Sequence, residues 1–275
     1  MIDLHVHSNC SDGTYSPEEL VKSALRVPLE AFALTDHDTT EGIAPAQAAA
    51  KGTGLEVIPG IEFSTSYEGK DIHVLGLGIH YQNAYFQQQL AYFRDSRGLR
   101  NDKMIARLQE AGLPITKEYL EEHYPNAVWT RAHFGACLLD LGCVSSVSEA
   151  FDRYIGDRAP CFVPREKVTP FEAIRLIHEA GGYAILAHPL LYGFSKDKLD
   201  ALTAQLKKAG LDGIEAIYSG NRPSDDSAMK QLAAKYSLKI TGGSDFHGDN
   251  KPKIHLGTGR GNLKVPYTLW KNLNS

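Results

Sequence analysis

Two imidazoles stand two residues apart near the start of the chain, His5 and His7 in Asp3-Leu4-His5-Val6-His7. Side chains on a β-strand alternate between faces, so this pair points one way while Leu4 and Val6 point the other. Such a pair can ligate a cation. Asp12 follows in Cys10-Ser11-Asp12-Gly13, and then come Thr35-Asp36-His37-Asp38, Pro59-Gly60-Ile61-Glu62, Asp71-Ile72-His73-Val74 and Leu186-Ala187-His188-Pro189. A second i, i+2 pair closes the series in Gly243-Ser244-Asp245-Phe246-His247. Each residue alone has an ordinary explanation. A lone buried His is usually a satisfied core residue, Asp-Gly is usually a turn, and Asp36 or Asp38 can cap a helix. Together they do not, because so many buried polar groups would carry a heavy desolvation cost without a metal. His with carboxylate suits Mn, Fe, Zn or Co better than Ca or Mg. The candidate ligands are His5, His7, Asp12, His37, Glu62, His73, His188, Asp245 and His247. They exceed the needs of one tetrahedral ion, so two or three divalent ions are expected, Mn2+ first, with Fe2+, Zn2+ or Co2+ as alternatives. Centres of this type activate water and clamp both oxygens of an in-line displacement at phosphorus.

Ligands this far apart in sequence need elements that return them to one place. Short apolar, β-rich runs mark candidate strands at Ile2–Val6, Ala31–Thr35, Leu55–Ile58, Ile72–Leu77, Tyr183–Ala187, Gly213–Tyr218 and Lys239–Gly242. Helix signals lie between many of them. Ser16-Pro17-Glu18-Glu19 offers a cap, a first-turn proline and a capping-box glutamate. Thr169-Pro170-Phe171-Glu172 repeats that start, and Lys198–Ala209 and Ser224–Tyr236 read as two more helices. The alternation predicts a mostly parallel sheet with helices outside, open or closed into a barrel. Nearly every candidate strand carries a ligand at or near its C-terminal end, the edge where parallel α/β folds build sites. From Phe86 to Phe151 the strand signals stop, and Phe86–Ala111, Thr116–His123, Arg131–Leu141 and Ser146–Tyr154 read as helical. That stretch is too long for one crossover. A small all-helical domain inserted at 99–158 is expected, between α/β segments 1–98 and 159–275.

The formal net charge is −4, which excludes affinity drawn from an overall basic surface, as in a nucleic-acid coat. A small anionic substrate held by local cations stays open. Cys10, Cys137, Cys143 and Cys161 form no CxxC pair and no disulfide framework, so reduced thiols in a cytoplasmic protein are expected. Neither a basic, apolar leader nor an apolar run near 18 residues is visible, so no signal peptide, membrane span or membrane partner is expected. No G-x-x-x-x-G-K-[ST] loop suggests triphosphate chemistry.

Asp3-Leu4-His5-Val6-His7-Ser8, Thr35-Asp36-His37-Asp38, Gly60-Ile61-Glu62, Ala187-His188-Pro189 and Gly243-Ser244-Asp245-Phe246-His247 follow in order over residues 3–247. They resemble the motifs of the PHP (polymerase and histidinol phosphatase) superfamily, an amidohydrolase-like group. Gly13-Thr14-Tyr15-Ser16-Pro17-Glu18-Glu19-Leu20, Ile72-His73-Val74-Leu75-Gly76-Leu77 and Thr130-Arg131-Ala132-His133 resemble its stand-alone bacterial branch. That branch holds 3',5'-nucleotide bisphosphate phosphatases and 5'-to-3' oligonucleotide exonucleases. The resemblance implies an α/β fold, a distorted seven-stranded (β/α) barrel with the inserted helical domain. It implies one ion with His5, His7, Glu62 and Asp245, a second with Glu62, His73 and His188, and a third with Asp12, His37 and His247. Glu62, Asp245 and His247 become the candidate catalytic residues, Glu62 as the carboxylate bridging two ions. The implied reaction is metal-dependent hydrolysis of a phosphomonoester by metal-bound hydroxide. The leading substrate is the 3'-phosphate of a nucleotide such as adenosine 3',5'-bisphosphate, giving a nucleoside 5'-monophosphate and phosphate. A 5'-3' exonuclease on short oligonucleotides and a histidinol-phosphate phosphatase are the alternatives. A non-catalytic metal-binding module beside a polymerase ranks last, and no stable complex with long nucleic acid is expected.

Arg131 opens a candidate helix, where the guanidinium and the helix N-terminus both favour anions. It is the resemblance that implies a phosphate contact for both Arg131 and His133. Asn221 and Arg222, in a loop near the end of a candidate strand, complete the substrate-binding set. Arg165 reads as a solvated charge, and His80, His123, His178 and His255 match no motif and read as structural or exposed.

Overall fold

The computed structural model describes residues 1–125, 127–163 and 168–273. Arg165 lies outside them. Two compact units are present, Met1–Gln88 with Lys167–Ser275, and Gln89–Glu166. Among the described residues no helix is long and apolar enough to cross a membrane.

The first unit carries seven strands: β1 Ile2–Val6, β2 Ala31–Leu34, β3 Glu56–Tyr67, β4 Lys70–Leu77, β5 Tyr183–Leu186, β6 Gly213–Tyr218 and β7 Lys239–Gly243. They pair in sequence order as one sheet. The sheet nearly closes. Just past β7, Asp245 N–H donates to His5 O at 2.9 Å and His7 N–H donates to Phe246 O at 3.0 Å, which joins that segment to β1. β4 departs from the expected parallel order, running antiparallel to both β3 and β5. β3 is also longer than expected. It continues past Pro59-Gly60, so Glu62 lies within the strand and pairs with Leu75 of β4. The short link from Tyr67 to Lys70 makes the reversal a hairpin, and a hairpin can only be antiparallel.

Two apolar layers position the strands. Ile2, Leu4, Ala31, Ala33, Ile58, Leu75, Leu77, Ile185 and Ala187 form one buried cluster with Leu263, Val265, Trp270 and Leu273. Trp270, on the C-terminal helix Thr268–Leu273, donates its indole N–H to Glu56 at the start of β3. That fixes the helix at the N-terminal ends of the strands. The second layer packs Val6, Phe32, Leu34 and Val57 against Leu20, Val21, Ala24 and Ala46. Leu20, Val21 and Ala24 come from α1 (Pro17–Ala24), whose start is the expected capping box: Glu19 N–H donates to Ser16 Oγ, and Ser16 N–H donates to Glu19. Ala46 comes from α2 (Ile43–Ala50), an Ala-rich helix that carries little periodic signal. Leu4 and Val6 were expected on one face. They fall in different clusters, because the β1–β2 register shifts between Asp3 and Val6 and a bulge re-aims side chains.

The second unit contains no strand among its described residues. α3 runs unbroken over Ala84–Glu110, followed by α4 (Lys117–His123), α5 (Arg131–Asp140) and α6 (Val147–Ala150). α6 passes into a π-helical turn at Phe151–Ile155. Met104, Leu108, Ile115, Leu120, Phe134, Leu138 and Ile155 form this unit's own core.

Candidate metal centre

All nine expected ligands belong to the first unit, and the fold gathers them. His5 Nε2, His7 Nε2 and Glu62 Oε2 lie 3.1–3.2 Å from one another, and both nitrogens lie 3.6 Å from Asp245 Oδ1. Ligand atoms about 2.1 Å from a tetrahedral cation stand roughly 3.4 Å apart, so this spacing fits one. The other oxygen of Glu62 faces a different pair: Oε1 lies 2.8 Å from His73 Nδ1 and 3.0 Å from His188 Nε2. Asp12 lies 3.2 Å from His247 Nε2 and 3.8 Å from His37 Nε2. His37 also approaches Glu62 Oε2 at 3.4 Å, and His7 shares the Asp12 group. The groups therefore overlap more than three separate ligand sets would.

Reversal of β4 explains His73. It lies early in its strand, opposite Ser64 of β3. Because β4 runs backward, its beginning meets the rim where the parallel strands end. The other ligands are held by neighbours. Asp36 is not among the grouped ligands; its carboxylate accepts from Ser8 N–H, Ser8 Oγ–H and Ser11 Oγ–H at 2.6–2.7 Å, pinning the loop that carries Asp12. Asp38 accepts from Ser64 N–H at 2.9 Å and donates its own N–H to Glu62 O. Three of the five non-glycine residues with positive φ among those described are Asp38, His188 and Asp245, at 54°, 27° and 57°. Strained backbone of this kind persists where the surroundings over-determine it, and it collects at functional sites.

Burial opposes charge on Glu62, Asp12, Asp245, His5, His7 and His37, with neighbours prevailing at the three carboxylates and His5, and burial at His7 and His37. Burial would raise the Glu62 carboxyl, but His37, His5 and His73 hold it well below the usual range. Asp12 is held low against burial by His37 and His247, and Asp245 by Lys251, His247 and His5. Burial depresses His7 strongly, with His247 adding to it. Burial also lowers His37 to about 4, against the pull of Glu62 and Asp12. His5 differs: burial would lower it, yet Glu215, Glu62 and Asp245 raise it well above its ordinary value. Three charged carboxylates are thus buried among imidazoles, with His7 and His37 neutral. The carboxylates with His7 and His37 fit divalent cations, which need deprotonated ligands, and a cation at His5 would displace its Nε2 proton.

Three supporting residues escaped the sequence reading. Glu215, fully buried in β6, lies 3.0 Å from His5 Nδ1 and accepts from His188 N–H at 2.8 Å. Tyr218 Oη–H and Lys251 Nζ donate to Asp245 Oδ2 at 2.8 and 2.6 Å. Glu215 did leave a signal, a carboxylate inside the apolar run Gly213–Tyr218. Lys251 left none, since its loop only returns to Asp245 in three dimensions.

The substrate-binding candidates make local bonds. Within the helical unit, Arg131 pairs with Asp157 at 2.7 Å and stacks over Phe151 and Phe162. His133 Nδ1 accepts from Thr130 N–H at 2.8 Å, completing the capping box of α5, and its ring packs on Tyr124. In the first unit, the Asn221 amide donates to Asp226 and Arg222 N–H donates to Asp225, both at the start of the helix Pro223–Lys235. Among the unassigned histidines, His178 pairs with Asp212 at 2.8 Å and His123 stacks on Tyr119.

Known proteins resemble this chain in sequence and fold. Residues 3–159 match the PHP domain family. A 5'-3' exoribonuclease of Haemophilus influenzae is 37% identical over 248 residues, covering 89% of each chain. A 3',5'-nucleoside bisphosphate phosphatase of Chromobacterium violaceum is 32% identical over 277 residues, covering 100% of this chain and 96% of the relative. A solved amidohydrolase structure from Chromobacterium violaceum, with bound sulfate, matches at a TM-score of 0.89 and 30% identity, over 99% of this chain and 95% of that one. The chain belongs to the PHP family and is a metal-dependent phosphoesterase, a hydrolase of phosphoester bonds.

Proposed function

We propose that the chain hydrolyses the bond between phosphorus and the 3'-oxygen of a 5'-phosphorylated nucleotide, with adenosine 3',5'-bisphosphate as the representative substrate. The products are a nucleoside 5'-monophosphate and phosphate. One observation supports the centre above all others: Glu62 divides its oxygens, Oε2 toward His5 and His7, Oε1 toward His73 and His188. That is the arrangement of a carboxylate shared between two ions. His5, His7, Glu62 and Asp245 are proposed to hold one, Glu62, His73 and His188 a second, and Asp12, His37 and His247 a third, with Mn2+ preferred. Divalent ions bound there would lower the pKa of water toward ~7 and neutralise phosphoryl oxygens in the transition state. The chain's own part is to keep Glu62 and Asp245 charged and to present His7 and His37 unprotonated, with Glu62, Asp245 and His247 proposed as the catalytic residues. Arg131, His133, Asn221 and Arg222 enter the proposal as substrate contacts.

A second reading is favoured by the exoribonuclease relative. Removal of the 5'-terminal nucleotide from a 5'-phosphorylated oligoribonucleotide breaks the same phosphorus–3'-oxygen bond. The difference lies in what else the phosphorus carries, nothing in the bisphosphate or the next nucleoside in the oligomer. The test is steady-state kinetics in Mn2+ with adenosine 3',5'-bisphosphate, a short 5'-phosphorylated oligoribonucleotide and histidinol phosphate. The highest kcat/KM on the bisphosphate is expected. A lead for the oligomer moves the assignment to the second reading, and a lead for histidinol phosphate overturns both.

A further inference from the structure

Glu215 touches two ligands that belong to different parts of the centre. Its Oε1 lies 3.0 Å from His5 Nδ1, and its Oε2 accepts from His188 N–H at 2.8 Å. On the far side of each contact stands a different oxygen of Glu62. His5 Nε2 faces Glu62 Oε2 together with His7 and Asp245, and His188 Nε2 faces Glu62 Oε1. The fold makes room for this reach. β7 lies between β6 and the β1 edge, and at Gly243 a Cβ would stand 2.3 Å from His5 Cβ and 3.0 Å from Glu215 Oε1. Glycine leaves that lane open. The β6–β7 register also shifts between Glu215 and Ile217, just where the carboxylate is aimed. A fully buried carboxylate in an apolar strand is costly unless its bonds serve something.

We propose that Glu215 is a positioning residue that braces two metal sites at once, a reading that rests on the metal centre proposed above. With a cation bound, Glu215 would hold the one remaining His5 ring proton on Nδ1 and leave the Nε2 lone pair to the cation. Through the His188 amide it holds a peptide at a φ of 27°, a conformation the residue would not keep unaided. A carboxylate behind a ligating imidazole fixes its tautomer and orientation. Here one carboxylate does this for one ligand and anchors the backbone of another, so loading of the two ions is coupled through a side chain that ligates neither.

The discriminating variants are Glu215→Gln and Glu215→Asp. Both wild-type oxygens face donors, whereas an amide offers one acceptor and one donor. With its oxygen on His188 N–H, the Gln amide turns its NH2 on His5 Nδ1, which can accept only if the ring proton moves to Nε2, the atom facing the cation, and turned the other way its NH2 opposes His188 N–H. Asp keeps the charge but falls one methylene short, so weakening in it marks geometry rather than charge. Mn2+ is titrated calorimetrically into metal-free protein, and thermal unfolding is followed with and without Mn2+. Expected are near-wild-type unfolding without metal, affinity for at least one ion lower by about 10–100-fold, a smaller Mn2+-induced rise in Tm, and kcat largely restored at saturating Mn2+. Wild-type Mn2+ affinity and stoichiometry in both variants overturns the inference. If the Gln variant does not fold without metal, the Asp variant decides by the same measurement. Failure of the wild type to bind Mn2+ would instead remove the metal centre itself, so the two failures are distinguishable.

Discussion

His5 and Asp245 show why single ligands matter here. Each meets more than one partner: His5 Nε2 faces His7, Glu62 and Asp245, and Asp245 faces His5, His7 and His247 while held by Tyr218 and Lys251. His5→Ala or Asp245→Ala is expected to lower kcat by more than the about 10–100-fold that loss of an outer partner costs, with circular dichroism unchanged. Wild-type turnover in either variant would remove that residue from the centre. His37 gives a pH test on metal-free protein. Its folded pKa, about 4, lies below the ordinary 6.5, so the folded state refuses a proton that the unfolded chain accepts. Its stabilising contribution is present above pH 6.5 and is lost as pH falls toward 4, a swing on the order of 3 kcal/mol. The stability difference between wild type and His37→Asn, measured by urea unfolding from pH 7 to 4, should shift against the wild type by that amount. A difference independent of pH would contradict it. For Arg131, the proposed contact to a remote phosphate predicts that Arg131→Ala raises KM for the bisphosphate more than for a simple aryl phosphate. Equal losses on both would place the residue at the reacting group instead.

At the scale of elements, capping and glycine separate stability from chemistry. Ser16→Ala deletes the side-chain half of the α1 capping box. It should cost about 1 kcal/mol in urea unfolding and leave kcat/KM alone. Gly243→Ala is expected to do both kinds of damage. The new Cβ would meet His5 Cβ at 2.3 Å and His5 N at 2.7 Å, and backbone cannot yield as a flexible side chain can. Overpacking of this kind costs ~1–3 kcal/mol, and it would push His5 off Glu215, so Mn2+ affinity should fall with stability. Unchanged affinity would mean that the strand shifts without moving the ligand. β4 carries the same lesson in reverse: its direction, rather than its composition, brings His73 to Glu62.

For the whole molecule, the decisive experiment is removal of metal. Chelator-treated protein should lose phosphoesterase activity, show a lower Tm, and recover both with Mn2+, because three buried carboxylates then regain their counter-charge. Activity that survives complete metal removal would contradict the proposed centre. The sequence alone determined the candidate ligands and most strands, since residue type and spacing 2 are local properties. β1 and β6 appear at their expected bounds, and the Ser16 capping box and the Thr169 cap mark helices without reference to the rest of the chain. Tertiary structure alone decided how ligands from residues 5 to 247 are shared, the reversal of β4, the phase change within β1, and the recruitment of Glu215, Tyr218 and Lys251. Those outcomes depend on which strands become neighbours and in which register. A side chain's chemical type states what it can bind, whereas only closure of the sheet sets which partners stand within 3 Å of it.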